Sequence, residues 1–283
     1  MVKKTILSSN AATYGMLLLW TLVVLFPFYW LATTSFKEIA DVFRGPKYLP
    51  WVDFTPTAKW WYRMWVVENR MLFRSLLNSL VIAISSSLFA VTFGTMAAYA
   101  LERFRFKFGP MKNNDIFLWI VSQRVMPPII IALALFVMFY FVGLLDTQLG
   151  LIFVYIAAHT PIAVWMMSNF VSQLPISIEE AALVDGASRS QTFFRVVLPM
   201  IAPGMTATFL LVFIFAWNEF LFALMLTGGK AQTMPLLIAA QHFQRGPQWW
   251  DISVLAMITI IPVVILVVSL QRYFVRGLIP IGK

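Results

Sequence analysis

Two charged side chains fall inside long apolar runs of this sequence of 283 residues: Arg124 in SQRVMPP and Glu219 in AWNEF. Each has an amide beside it, Gln123 and Asn218. Amides exchange hydrogen bonds with polar groups of either kind, so such a set is equipped to line a path for a polar solute. The competing reading is structural, each charge pairing separately with another chain or with backbone carbonyls freed by Pro127 and Pro128. Either way the charges face protein or water, because a charge turned to lipid costs several kcal/mol. Bond-breaking chemistry has no residues to carry it. There is no Cys, His159 and His242 are isolated, and nothing groups a nucleophile, a base and metal ligands, so neither a metal site nor a catalytic residue is assigned. GGK at 228–230 lacks the upstream glycine and the Ser or Thr of a phosphate-binding loop, so this chain is not expected to hold or hydrolyse ATP, and no cofactor is assigned to it.

The elements that position these groups lie in a membrane. Hydrophobic residues make up 60% of the chain and charged ones 12%, and the mean hydropathy is +0.81, far outside the soluble range. A span needs about 20 largely apolar residues. Six windows qualify, near 14–34, 76–101, 116–142, 150–171, 205–226 and 252–273, which predicts an all-α integral membrane protein with a single transmembrane domain over 1–283. The first follows Lys3 and Lys4 and reads as an uncleaved helix rather than a secretory signal, its apolar run being long and five more following. Arg124 then sits about eight residues into the third span and Glu219 about fourteen into the fifth, so their heights differ by roughly 9 Å and direct pairing is strained. Pro127, Pro128 and Pro161 read as kinks or re-entrant breaks. His159, beside Thr160 and Pro161, reads as a helix-packing hydrogen bonder.

Six spans put both termini on one side. With both ends cytoplasmic, that side holds Lys3, Lys4, the bases of the compact cluster LERFRFKFGPMK, Arg189, Arg195, Arg272, Arg276 and Lys283, against nine bases opposite, seven of them in the long 36–74 loop with Glu38, Asp41, Asp53 and Glu68; the compact cluster and the flanks of the first and last helices decide for both termini inside. The loop at 35–75 is then external. Its KWWYRMW stretch, with Trp60, Trp61 and Trp65, suits a helix lying at the membrane surface, a sugar-stacking platform being the alternative. The net charge of +9 serves topology and anionic lipid; a nucleic-acid footprint would need a clustered polar face, so no nucleic-acid partner is expected.

Residues 172–204 join spans four and five on the cytoplasmic side and contain EEAALVDGASRSQTFFRVVLPMIAPG. Ser177 three residues before Glu180 predicts a capping box and a helix start. Gly186 arrives where a helix end wants positive φ. Ser188 and Gln191 form a second box, opening a helix that carries Phe193, Phe194, Val197 and Leu198 and stops before Pro199. One reading is a loop that only packs against the spans; the other is a knob shaped for a groove on a partner.

The order Glu180-Ala181-Ala182, three residues, Gly186, nine residues, Val196, one residue, Leu198-Pro199 resembles the EAA loop of permease subunits of ATP-binding-cassette importers. Val196 stands where that family usually has Ile. DGA at 185–187, PMIAPG, AWNEFLFAL at 216–224, TMPLLI at 233–238 and QRYFVRGL at 271–278 resemble the carbohydrate branch of the maltose-transporter MalG type. TSFK at 34–37, LLNSLVIA at 76–83 and the MPP after Arg124 follow in the same order, so the likeness covers nearly the whole chain. The terminal GLIPIGK departs from the family's small-residue, glycine-rich tail.

That resemblance implies the type I ABC importer permease fold, with a cytoplasmic EAA coupling helix between spans four and five, in an inner membrane. It implies that Glu179, Glu180, Ala181, Ala182, Asp185, Gly186, Ala187, Arg189, Phe193, Leu198 and Pro199 meet a cytoplasmic ATPase and pass its closure to the spans as a rigid-body movement. The implied partners are two ATPase subunits, which bind ATP and Mg, a second permease of the MalF type, and an extracytoplasmic sugar-binding protein. A permease for a polyol phosphate or an amino acid is the near alternative. An ion-driven secondary transporter would need acidic residues deep in several helices, where this sequence offers Glu219 alone.

Overall fold

The computed structural model describes residues 2–243 and 246–278, with side chains over 12–242 and 246–271. Residues 279–283 of the tail and the side chains of Lys3, Lys4, Arg272 and Arg276 lie outside that range. The fold is helical apart from one small hairpin. In chain order it comprises α1 (Val2–Thr34), α2 (Ile39–Phe43), α3 (Lys59–Tyr62), α4 (Asn69–Arg103), β1 (Lys107–Phe108), β2 (Met111–Lys112), α5 (Asn113–Ser122), α6 (Pro128–Val142) and α7 (Gln148–Ser172). Then follow α8 (Ile176–Val184), α9 (Arg189–Thr192), α10 (Leu198–Trp217), α11 (Leu221–Leu226), α12 (Met234–Phe243) and α13 (Trp249–Leu278). Among the described residues five stretches are long and apolar enough to cross a bilayer: Ala12–Thr34, Asn69–Arg103, Gln148–Ser172, Arg189–Trp217 and Trp249–Gln271. Asn113–Val125 with Pro128–Val142, bent by 87°, makes a sixth when taken as one broken span.

The sharp bend falls at Pro127 and Pro128, where the sequence reads a kink or re-entrant break within the third window over 116–142. Pro127 and Pro128 remove two N–H donors, and a residue before proline is pushed out of the helical region. Met126 and Pro127 accordingly take extended ψ values of 130° and 121°. The fifth span differs: its helix starts at Arg189 and ends at Trp217, and Asn218–Phe220 separate it from α11. By contrast α7 runs unbroken past Pro161.

Contacts divide the chain into two compact units, Met1–Leu72 with Ile238–Ile261, and Phe73–Leu237 with Pro262–Lys283. In the first, the segment after α1 folds around Lys37, which is 2% exposed. Its ammonium lies 4.1 Å from the Trp30 ring centre, and burial lowers its pKa against the opposing pull of Asp41 and Asp53. Trp60 is buried, and its indole N–H donates to the Lys37 carbonyl at 2.8 Å. The surface-helix expectation is therefore corrected for Trp60, whose indole has an internal carbonyl acceptor and no longer needs the interface; Trp61 is half-buried, its N–H donating to Ser35 Oγ at 3.1 Å, and Trp65 is exposed to 41%. Arg63 joins Glu68 at 2.7 Å and the fully buried Asp251 at 3.0 Å.

In the second unit, α4, α7 and α10 meet through small residues. A Cβ on Gly94 would stand 2.5 Å from the Ala163 Cβ, and one on Gly204 would enter the Phe170 ring. Such close approach maximises dispersion contact where lipid offers no hydrophobic drive between helices. The main core gathers Ile82, Leu151, Tyr155, Phe213, Trp217 and Phe222.

Candidate functional site

The segment after α7 forms a knob of two short helices. Its first helix starts at Ile176 after Pro175, so Ser177 lies inside it and the expected Ser177–Glu180 box is not formed. Pro175 supplies the start instead, its fixed φ and missing N–H being harmless at a helix entrance. Gly186 has φ +86°, Ala187 N–H reaches the Ala182 carbonyl at 3.0 Å and Gly186 N–H that of Leu183 at 3.1 Å. This pair of bonds is the Schellman ending that frees a helix to stop abruptly. The Ser188–Gln191 box is present, with bonds of 2.8 and 3.3 Å. The helix it opens does not stop before Pro199. Phe193–Val197 widens into a π turn, which relieves the clash a proline ring makes with the carbonyl four residues back, and the chain continues into α10.

One ion pair fastens this knob to the spans. Arg103 Nε lies 2.6 Å from Glu179 Oε1, and its Nη2 donates to the carbonyls of Val171 and Leu174 at 3.0 and 2.9 Å. Tyr99 donates to the other Glu179 oxygen at 2.8 Å. Side-chain exposures of 9% and 10% mean that Arg103 and Glu179 are nearly withdrawn from water, where a carboxylate is tolerated only with such full pairing. Beneath it Phe193, Val197 and Ile201 pack with Ala98, Met167, Val171 and Leu174. Among the residues expected to meet an ATPase, Glu179 and Phe193 are thus buried within this chain, and Ala182, Ala187 and Leu198 half-buried. Glu180, Ala181, Asp185, Gly186, Arg189 and Pro199 are exposed. Exposed Ile176, Leu183, Val184 and Phe194 add an apolar patch, with Val184 at 86%. Arg103 and Tyr99 escape sequence reasoning: Arg103 reads only as one more base in a topology cluster, and its partner is 76 positions away.

Arg124, in the turn Gln123–Val125 ahead of the Pro127–Pro128 break, and Glu219, between α10 and α11 rather than deep in the fifth span, both sit at helix breaks and are held apart by different residues of α7. Arg124 donates to the Ala158 carbonyl at 3.2 Å, lies 3.4 Å from His159 Nδ1, and places its guanidinium carbon 5.2 Å from the Phe215 ring centre. Glu219 accepts from Tyr155 at 2.8 Å and from the N–H groups of Phe222 and Ala223 at 3.0 and 3.3 Å, so it also caps α11. Tyr155 and His159 are one turn apart on the same helix face. Among the described residues Arg124 and Glu219 form no ion pair with each other. Gln123 and Asn218 donate back to their own helices, to Trp119 and Ile214, and stay exposed with Arg124. A further tether joins two loops: Asp146 accepts from the N–H groups of Gly229, Lys230 and Ala231. Burial pushes its pKa up, but these backbone donors prevail and hold it below the usual carboxylate range.

Apolar spanning helices that hold out a small, ion-pair-fastened helical knob define a membrane transport component with the type I ABC importer permease fold. The chain belongs to the family of binding-protein-dependent transport system inner membrane components, whose model matches residues 90–280. It is 34% identical over 263 residues to the trehalose/maltose transport system permease protein MalG of Thermococcus litoralis, spanning 92% of each chain. With the trehalose transport system permease protein SugB of Mycobacterium tuberculosis it shares 35% over 280 residues, 96% of this chain and 97% of that one. A chain in the crystal structure of a bacterial ABC transporter involved in the import of the acidic polysaccharide alginate superposes with a TM-score of 0.71 at 21% identity. That match covers 94% of this chain and 96% of the other.

Proposed function

We propose that this chain is the membrane-spanning subunit of an ATP-driven importer for a sugar or sugar derivative, working with a second permease, two ATPase subunits that bind ATP and Mg, and an extracytoplasmic binding protein. The observation that carries the reading is the division of labour between two adjacent glutamates. Glu179 turns inward and locks the knob to α4 and α7, while Glu180 stands outward with Ala181, Leu183 and Val184, ready for a groove. A knob so fastened moves as one body with the spans, and closure of the ATPases becomes alternating access. The trehalose and maltose named for the relatives, and the alginate named for the matched structure, support the carbohydrate class. Gln123, Arg124 and Asn218 supply exposed polar groups for the solute path. Glu219 supports that path by position, its oxygens being engaged inside the chain.

The test is Gly186→Asp, reconstituted in liposomes with all partners. No atom lies within 4 Å of a Cβ built there, so the added Cβ meets no neighbour in this chain, and the cost falls on the helix ending, whose φ of +86° an L side chain strains. Insertion stays near normal, while sugar uptake falls at least tenfold and the ATPases bind weakly or cease to respond to the loaded binding protein. Normal uptake with normal stimulated hydrolysis removes the coupling role. Orientation is checked separately: single cysteines at Lys107 and Lys59 label from the cytoplasmic and external faces respectively, and labelling from one face refutes the six-span arrangement.

A further inference from the structure

The hairpin between α4 and α5 presents charges that the fold leaves unanswered. Gly109, at φ +61°, and Pro110 make its two-residue turn, and the register sets Lys107 directly opposite Lys112 and Phe108 opposite Met111. Like charges directly across an antiparallel pair repel. Among the described residues neither lysine, nor the exposed Arg105, makes an ion pair. Asp115, the acid nearest in sequence to Lys112, accepts the Lys112 backbone N–H at 2.9 Å. Phe108 is 77% exposed, which a water-facing hairpin would not favour.

Beside the hairpin lies a cavity of about 530 Å³ walled by Ala97, Ala100, Leu101, Ile116, Trp119 and Ile120. Lys107 is the one charged residue on its lining. Hydrocarbon walls with a cationic mouth describe an occupant that is apolar along its length and anionic at one end. A free sugar would bury hydroxyls against alkyl groups, and a peptide would bury backbone donors and acceptors, both at a cost. Inorganic phosphate would use the lysines and leave the cavity empty. We propose that this is a binding site for one anionic phospholipid, its phosphodiester between Lys107 and Lys112 and one acyl chain between α4 and α5. Bases at the ends of membrane helices attract anionic headgroups in this way, and the cavity adds a requirement for the tail.

Native mass spectrometry of the full chain in detergent, with dioleoyl phosphatidylglycerol or dioleoyl phosphatidylcholine, tests the site. One phosphatidylglycerol per chain is expected to persist, at least tenfold tighter than phosphatidylcholine. The double change Lys107→Gln with Lys112→Gln removes that preference, whereas Lys107→Arg with Lys112→Arg keeps it. Ala100→Trp, which fills the cavity, weakens phosphatidylglycerol without touching either lysine. Equal affinity for the two lipids overturns the proposal, as does an equal loss on changing Arg74→Gln with Lys230→Gln at the other end of α4. Full competition by glycerol phosphate would mark a free-phosphate site instead, and unchanged binding in Ala100→Trp would leave only diffuse attraction.

Discussion

The knob at 176–198 and the charged groups at the breaks of the third and fifth spans are both polar islands in an apolar chain, each built around one fully hydrogen-bonded glutamate, and they differ in what the exposed groups beside it do. In the knob one residue, Glu179, is withdrawn and fully paired, and its neighbours are left outward and unpaired. At the helix breaks Glu219 is saturated by Tyr155 and two backbone donors, while Gln123 and Asn218 keep exposed amides folded back onto the preceding helices. A joint must be rigid where it is fastened and free where it docks. A solute path needs polar groups that form only weak internal bonds and can exchange them for a ligand's.

The largest expected effect breaks the fastening. Arg103→Ala leaves the Glu179 carboxylate buried without its cation, and breaking a buried pair costs about 3–5 kcal/mol. The knob detaches, so limited proteolysis cuts near residues 172–190, and uptake by the reconstituted complex falls more than tenfold with the chain still inserted. An intact, protease-resistant knob in this variant would show that the hydrophobic packing of Phe193 and Val197 suffices alone.

A smaller loss follows Glu219→Gln. One amide oxygen replaces two carboxylate oxygens that accept three hydrogen bonds, and bonds to a charged group contribute about 1.5–3 kcal/mol each. Thermal stability of the purified complex drops by several degrees, and uptake falls in proportion to the intact complex recovered. Changed sugar selectivity at unchanged stability would instead place Glu219 in the path. The smallest effect on stability is expected from Asn218→Ala, because its amide bonds only Ile214 of its own helix and is exposed. Surface changes of this kind stay within about 0.5 kcal/mol. Transport assays on the same variant sharpen the contrast: a raised half-saturating sugar concentration is the expected signature of a path residue.

Local rules made much of this legible. Span length and hydropathy mark the membrane helices because both are properties of a short window. The Gly186 ending and the Ser188–Gln191 box follow from backbone geometry within a few residues, and the EAA spacing is written in order along the chain. The break at Pro127–Pro128 was visible as a candidate kink, but its 87° bend was not, since proline forbids the helix without dictating the new direction. Ser177 misled because Pro175, two residues earlier, provides an equally good entrance.

Tertiary structure alone decided which of two adjacent glutamates turns inward. Successive helical residues point about 100° apart, so the rotation of α8 against α4 and α7 makes Glu179 the fastening and Glu180 the free face. The same holds for Tyr155 with Glu219, 64 positions apart, and for His159 with Arg124. Their meeting depends on how helices distant in sequence are turned and shifted against each other, through contacts such as Gly94 on Ala163, and no short window of sequence contains that information.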